Sequence, residues 1–367
     1  MKVLCITDCQ DRPETELYIL LSQRVDNFLV MANPDGRFYG LLVQNGVRVQ
    51  PIKIKSRFDK KATQLIQQVL LAEQFDIVHA FNTRAVACML RAGKNTRSKL
   101  LAYRGVTTGV GYLKPESWHT FLNPRLDGVM CVADAIRQAL VNTRFLWLSF
   151  PAHKAKTIYK GHNPAWYEGT AVPKTSLGVP EDAKAICCIA RNSLKKGVGT
   201  LLDAFRQLDA ELNAHLVLVG GIDKNLELKE RIRQAGLVER VHFTGYRNDA
   251  IQIVRGCDLL VSASESGEGL PRVAIEAMCV GTPVVATDSG GTREVVIDGQ
   301  TGLLVEKGAP AELSQAIAQV LSDTALREQL SVQGLGFVAN ELTPENTVDN
   351  VIQWYEDLCF RAGVANE

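Results

Sequence analysis

Residues 264–291 read SESGEGLPRVAIEAMCVGTPVVATDSGG, and this stretch decides how the rest of the chain is arranged. Two carboxylates, Glu268 and Glu276, stand with seven residues between them. Glu268 lies between Gly267 and Gly269, in a segment that reads as a loop. Glu276 lies within 273–280, which has a helical pattern and no breaker before Gly281. One carboxylate is therefore expected in the loop and the other about a turn inside the helix. The first turn of a helix carries free N–H groups and a positive dipole end, a natural seat for a diphosphate. Pro271 has no N–H to offer and suits that first turn, so a backbone cradle is expected from Gly269, Leu270 and Arg272. Carboxylates on either side of a diphosphate can grip hydroxyls at both its ends, which is what a nucleotide sugar presents. Beyond the helix, 284–286 predicts a short buried strand and 288–291 a tight turn where backbone can approach a ligand closely.

Outward from this stretch the chain alternates strand and helix. Strands are predicted at 185–190, 216–219, 241–243 and 259–262, with helices at 198–208, 226–235 and 250–256. The first half shows strands at 2–6, 28–32, 47–54, 77–80, 100–103, 128–132 and 156–159, with helices at 14–23 and 60–73. Such alternation implies an α/β fold with parallel sheets and crossover helices. Residues 161–185, with Pro164, Gly169, Pro173, Gly178 and Pro180, read as a linker. Amphipathic helices at 311–322 and 346–360 follow the organising stretch. The expected domains are 1–164, 165–345 and a C-terminal helical segment, 346–367. At the end of strand 185–190, Arg191 and Lys196 with Gly197 place two cations at a sheet's carboxyl edge, where open α/β folds bind ligands. Fixed cations there would stabilise a departing diphosphate.

These residues resemble the retaining glycosyltransferases of the large glycogen-synthase-like family, glycosyltransferase family 4 with the GT-B fold. The resemblance rests on Glu268-X7-Glu276, the run from Gly281 to Val285, the turn from Asp288 to Glu294, and Arg191 with Lys196-Gly197. It is specific over about 186–305 and diffuse elsewhere. It implies two Rossmann-like domains facing across a cleft, with the last helix crossing back to the first domain. It implies a nucleotide-diphosphate sugar as donor and a glycan or lipid-linked acceptor, as in cell-surface polysaccharide or lipopolysaccharide synthesis. Glu268 would meet the transferred sugar and Glu276 the ribose, while Arg191 and Lys196 would take the diphosphate charge. Gly220, Gly245, Tyr246 and Arg247 would frame the base, and Glu294 would approach the sugar. Some positions depart from the family pattern. Ala190 replaces a glycine, Leu270-Pro271 replaces Phe-Gly, and 8–14 has no Gly-Gly loop. Tyr103-Arg104-Gly105 stands where relatives carry a histidine, so Arg104 and Gly105, with His119 from 115–124, are the acceptor-side candidates.

Of the chain's 367 residues, 46% are hydrophobic and 22% charged, a soluble globular composition with room for two cores. Its nine cysteines are scattered, with no Cys-X2-Cys pair, which suggests reduced core thiols in a cytoplasmic protein and no zinc site. No Asp-X-Asp occurs, so no metal cofactor is expected on the diphosphate. Residues 1–165 hold 23 Lys and Arg against 12 Asp and Glu (+11), and residues 166–367 hold 18 against 28 (−10). Opposite charge on the halves implies either mutual attraction or a separate anionic partner for the first. Lys53, Lys55, Arg57, Lys60 and Lys61, and the segment 145–156, are candidates for contact with an anionic membrane surface, the alternative being a solvated basic face. Peripheral attachment to the inner face of the membrane is the corresponding location. Nucleic acid is not an expected partner, because no helix-turn-helix, zinc or aromatic-basic platform is present. The rival readings are a GT-B nucleotide-sugar epimerase or hydrolase, and a non-catalytic nucleotide-sugar-binding interaction protein. The absence of Gly-X-Gly-X2-Gly after an early strand argues against an oxidoreductase.

Overall fold

The structure, a computed structural model, describes residues 1–364. The chain divides into two compact units, one built from Met1–Gly161 and the residues from Thr343 onward, the other from His162–Leu342.

In the first unit, among the described residues, seven strands form one parallel sheet. They are β1 (Lys2–Thr7), β2 (Asn27–Ala32), β3 (Val49–Pro51), β4 (Ile77–Ala80), β5 (Lys99–Arg104), β6 (Gly128–Cys131) and, beyond a small antiparallel hairpin of β7 (Arg144–Phe145) and β8 (Leu148–Ser149), β9 (Ala155–Thr157). The order is β3-β2-β1-β4-β5-β6-β9. Val3, Leu4, Cys5 and Ile6 are all fully buried, so the unbroken apolar run of β1 reflects a strand covered on both faces. The covering helices are capped by local chemistry. The Asp59 side chain accepts from Ala62 N at 3.1 Å to start Lys60–Glu73, and Asn82 accepts from Ala85 N at 2.9 Å to start Thr83–Ala92. Helix Pro344–Val364 returns to this unit, packing Val348, Val351, Trp354 and Tyr355 against Val3, Cys5 and Ile77.

Inside that contact the Tyr355 hydroxyl meets His79 Nδ1 at 2.7 Å, and His79 is fully buried. His79 is a core residue. Burial lowers its pKa to about 3. In the second unit His215 and His242 stack at 5.2 Å between ring centroids, with Nδ1 and Nε2 2.9 Å apart. Burial lowers both, and the neighbouring His242 lowers His215 further. A base with a depressed folded pKa leaves the unfolded chain binding more protons, so stability is full above the unfolded value near 6.5 and falls as pH drops below it. His79 alone should cost about 1.4 kcal/mol per pH unit below that point. Urea midpoints should fall between pH 7 and pH 5, with a shallower slope in His79→Gln. Equal slopes in the two proteins would contradict this account.

The second unit repeats the architecture with β10 (Lys184–Ile189), β11 (Ala214–Val219), β12 (Val241–Gly245), β13 (Leu259–Ser262), β14 (Val284–Thr287) and β15 (Leu303–Val305). All pair in parallel, in the order β12-β11-β10-β13-β14-β15. Chain order reverses between β10 and β13, so a crevice opens at their carboxyl ends. The two sheets therefore share one winding plan. No helix among the described residues is long and apolar enough to cross a membrane.

Three expectations change. Of the predicted strand 47–54 only Val49–Pro51 forms a strand; Arg48 O and Ile52 N still bond β2, and Ile52 and Ile54 bury their side chains. Residues 161–185 are not a free linker. Val172 N donates to Gln252 O at 2.9 Å, and Val179 and Ala183 are buried in the second core, so the apolar side chains between the prolines dock the segment. Helix Thr324–Asn340 was not foreseen, since Gly334 and Gly336 lower its helical signal. Gly334 sits there because its Cα lies against Met278, where a Cβ would come 3.1 Å from Cγ.

Candidate functional site

The crevice of the second unit is walled by the segment after β10, which contains Arg191 and Lys196, and the segment after β13, which contains Glu268. Their backbones interlock. Glu265 N donates to Lys195 O at 2.8 Å, and Gly197 (φ 60°) lies where a Cβ would come 1.8 Å from Ala263 O. On this frame Lys196 Nζ donates to both carboxylate oxygens of Glu268, at 3.1 and 2.9 Å. Both side chains are largely shielded, 25% and 16% exposed. Ser264 Oγ stands 3.5 Å from the same carboxylate, and Thr287 Oγ1, at the end of β14, donates to Ser264 O at 2.7 Å. The third wall is the turn after β14. Gly291 N donates to Gly269 O at 3.1 Å, and Gly290 (φ 62°) packs where a Cβ would meet Glu268 O at 2.0 Å. Side chains far apart in sequence are thus set by two glycine contacts that no larger residue permits, at Gly197 and Gly290, and by the backbone bonds beside them.

Helix Arg272–Cys279 starts directly from this loop with Pro271 at its N-cap. Ala274 N and Ile275 N both reach Pro271 O, and the N–H groups of Arg272 and Val273 precede any intrahelical partner. The loop and the helix start therefore fall where the sequence puts them, and Glu276 lies inside the helix, 14% exposed. Arg272 Nε stands 3.5 Å from Glu276 Oε1. That ion pair is formed by a mostly exposed arginine, so it contributes little to stability. Leu270 is partly buried against the core, and its side chain serves to seat the loop. Glu294 ends the short turn Thr292–Glu294 and is half-buried. The preceding Arg293 Nε bonds Asp288 Oδ1 at 3.0 Å and stiffens that turn.

Around the rest of the sheet edge the predicted residues divide. Arg191 is exposed and lines a cavity of about 320 Å³ with Asn192, Thr200, Asn225, Arg231 and Glu265. Gly220 (φ 112°) packs against Ala190 O, and its N–H donates to Gly245 O at 2.8 Å. That donor holds the strand ends together. Tyr246 is 77% exposed beside it. Arg247 makes a bidentate pair with Asp249, at 2.7 and 2.6 Å, so its guanidinium is engaged with a neighbour rather than free for a base.

The acceptor-side candidates belong to the first unit. Arg104 is buried, 5% exposed, donating to Thr108 O at 2.7 Å over the ring of Phe121, and burial lowers its pKa to about 10. It organises the loop after β5. Gly105 is half-buried beside the Tyr103 ring, and His119 is exposed, edge-on to Phe58 at 5.4 Å. The structure does not bring Arg104 and His119 into contact. Sequence reasoning missed a buried charge cluster at this unit's own switch point, between β1 and β4. Lys160 Nζ lies 3.0 Å from Asp11 Oδ2 and 3.9 Å from Glu14 Oε2, over the ring of Tyr103, while Thr7 and Tyr18 donate to Glu14. Burial opposes the charge on Lys160, but Tyr103, Asp11 and Glu14 more than offset it, so its pKa is raised. Nothing local in the sequence links Lys160 to Asp11, since only the fold joins them.

Residues 173–335 match the model of the family described as glycosyl transferases group 1. The lipopolysaccharide core biosynthesis glycosyltransferase LpsE of Rhizobium meliloti is 31% identical over 183 residues, 50% of this chain and 53% of that protein. The chain thus spans about half the length of that relative. The phosphatidyl-myo-inositol mannosyltransferase of Mycobacterium leprae is 27% identical over 324 residues, 83% of this chain and 81% of the relative. Among solved structures, Anabaena Alr3699/HepE in complex with UDP aligns with a TM-score of 0.77 at 25% identity, covering 97% of this chain and all of that one. Sucrose-phosphate synthase of Thermosynechococcus elongatus shares the fold, with a TM-score of 0.74 at 18% identity over 99% of this chain and 100% of its own. The two Rossmann-like units have the GT-B fold, and the second contains the segment, residues 173–335, that is similar to the group 1 glycosyl transferases.

Proposed function

We propose that the protein is a retaining, family 4 glycosyltransferase that moves a sugar from a nucleotide-diphosphate sugar to a glycan or lipid-linked acceptor. One observation carries this reading: the Lys196–Glu268 pair stands at the switch point of the second sheet, one loop away from a helix N-terminus. The diphosphate would lie at the first turn, where the orientation of the backbone N–H groups and the helix dipole favour negative charge. Lys196 would turn from Glu268 to the phosphates, and Arg191 would join it from the same loop, stabilising charge as the glycosidic bond breaks. Glu268, released from its cation, would accept from the hydroxyls of the sugar, and Glu276 from those of the ribose. Retention without a protein nucleophile is consistent with front-face attack, in which the leaving phosphate takes the acceptor's proton. The same reading places the protein at the inner face of a membrane, where lipid-linked acceptors reside. The relative that acts in lipopolysaccharide core biosynthesis supports a cell-surface glycan as the product, and the complex of a structural neighbour with UDP supports a uridine donor.

A thermal-shift panel of nucleoside diphosphates and nucleotide sugars tests the donor. At about 100 times its dissociation constant, a ligand adds about 2.7 kcal/mol of stability. The shift should persist in EDTA, because Arg191 and Lys196 supply the charge that a divalent cation would otherwise provide. A shift abolished by EDTA would overturn metal independence. No shift from any member of the panel would move the reading to a non-catalytic interaction protein.

A further inference from the structure

The hairpin of β7 and β8 in the first unit does nothing for the fold that its side chains would explain. Its base is fixed. Phe150 is buried, Phe150 N bonds Thr143 O at 3.3 Å, and Lys154 Nζ reaches Leu126 O at 2.6 Å just before β6. Its tip is the two-residue turn Leu146-Trp147, and these side chains are 73% and 84% exposed, with Phe145 at 37% behind them. Leu146 has φ 53°, a left-handed conformation in which glycine or asparagine is usual and an apolar residue is strained. Exposure and strain both count against these residues in the isolated fold, so their advantage lies in something the tip touches.

The charge around the tip says what that is. From Asp134 to Glu168 the chain contains no other acidic residue, and of the cations between them Arg137 pairs with Asp134 and Lys160 with Asp11 inside the unit, while Arg144 and Lys156 face outward. Arg144 is exposed at the foot of the turn, and Lys156 is exposed on the neighbouring edge strand β9. A tryptophan buries about 150–250 Å², so a tip of Leu and Trp falls well short of the roughly 1,200 Å² that a stable protein interface buries. A narrow apolar wedge with exposed Arg144 at its foot and exposed Lys156 shortly after it, and no exposed acid between them, matches the boundary of an anionic bilayer, where a tryptophan ring sits at headgroup depth and cations meet lipid phosphates. We propose that the Leu146-Trp147 tip inserts into an anionic membrane surface and is the element by which the first unit docks on lipid. This rests on the membrane contact proposed above and assigns it to one turn, rather than to the Lys53–Lys61 cluster.

Co-sedimentation of the full chain with phosphatidylcholine vesicles, with and without phosphatidylglycerol, tests it. Binding should require the anionic lipid and weaken with salt. Leu146→Gly and Trp147→Ser should each lower the partition coefficient about tenfold. Leu146→Gly should at the same time melt no lower than the parent protein, since glycine relieves the left-handed strain; a purely structural turn would give no such split. Trp147 should also account for a blue shift in emission on adding vesicles, absent in Trp147→Phe. Parent and variants binding alike would overturn the assignment and leave the membrane contact standing elsewhere. No binding by the parent would overturn both, while the donor site, read by thermal shift without lipid, stands or falls by itself. Self-association of the parent that the tip variants lose, without vesicle binding, would overturn the inference in favour of a second copy of this chain.

Discussion

Lys196→Ala is expected to lower kcat/KM for sugar transfer by about 10²- to 10³-fold, the usual loss when one preorganised group facing developing charge is removed. The argument starts from the resting pair. Lys196 Nζ sits 2.9 and 3.1 Å from the two oxygens of Glu268 in a partly shielded crevice, so the ammonium has already lost part of its contact with water and is held in place. A diphosphate entering at the helix N-terminus would exchange one anionic partner for another with little cost in reorganisation. Removing Lys196 takes away a charge that acts most strongly in the transition state, and it also leaves Glu268 as an uncompensated anion beside an anionic ligand. The thermal shift by nucleoside diphosphate should therefore disappear in Lys196→Ala. Lys196→Arg, which keeps the charge, should recover binding better than turnover, because the planar fork cannot reproduce a point ammonium. Glu268→Gln should separate the roles: diphosphate binding is retained or tightened, since Lys196 is freed, while transfer falls. If Lys196→Ala binds and turns over like the parent protein, the pair is only a structural ion pair and the assigned roles fail.

How much of this the sequence discloses follows from which forces are local. The loop at Glu268, the helix carrying Glu276 and the short strand after it are all visible in residues 264–291, because glycine, proline and apolar periodicity act on near neighbours. The winding of the two sheets follows from the alternation of strand and helix and the right-handed crossover rule. What escapes is partner choice across long separations. Lys196 and Glu268 could be named singly from their motifs, but not as a pair, because the bond between them depends on β10 lying beside β13. The Lys160–Asp11 cluster is hidden for the same reason. Arg104 and Arg247 are instructive in the other direction. Each reads singly as an arginine at a strand's carboxyl end, and the fold adds an acceptor within a few residues, Thr108 O and Asp249, that the spacing alone does not name. Helix Thr324–Asn340 escapes because its glycine serves close packing against Met278, and composition registers that glycine only as a breaker.

The same pattern makes glycine substitutions in this chain opposite in sign, and the contrast tests the site's construction without any substrate. Gly197→Ala and Gly290→Ala should each destabilise the protein by about 3 kcal/mol, from roughly 1–2 for a side chain in the left-handed region and a similar amount for overpacking. Gly197 has φ 60° with Ala263 O at 1.8 Å from the added Cβ, and Gly290 has φ 62° with Glu268 O at 2.0 Å. Both obstacles are backbone carbonyls of the loop that carries Glu268, so neither clash can be relieved by turning a side chain. The loop itself must move. Gly336→Ala, in helix Thr324–Asn340 with nothing within 4 Å of the added Cβ, should instead stabilise by about 0.5–1 kcal/mol, because alanine is the better helix former. Urea denaturation at neutral pH reads all three. The two site variants should also lose the nucleotide-induced thermal shift even where they remain folded, since a displaced loop moves Glu268 away from Lys196 and disturbs the start of the helix that receives the diphosphate. A Gly290→Ala protein as stable as the parent and still shifted by nucleotide would mean that the turn after β14 is not a wall of the site, and the assembly of three interlocked loops would have to be given up.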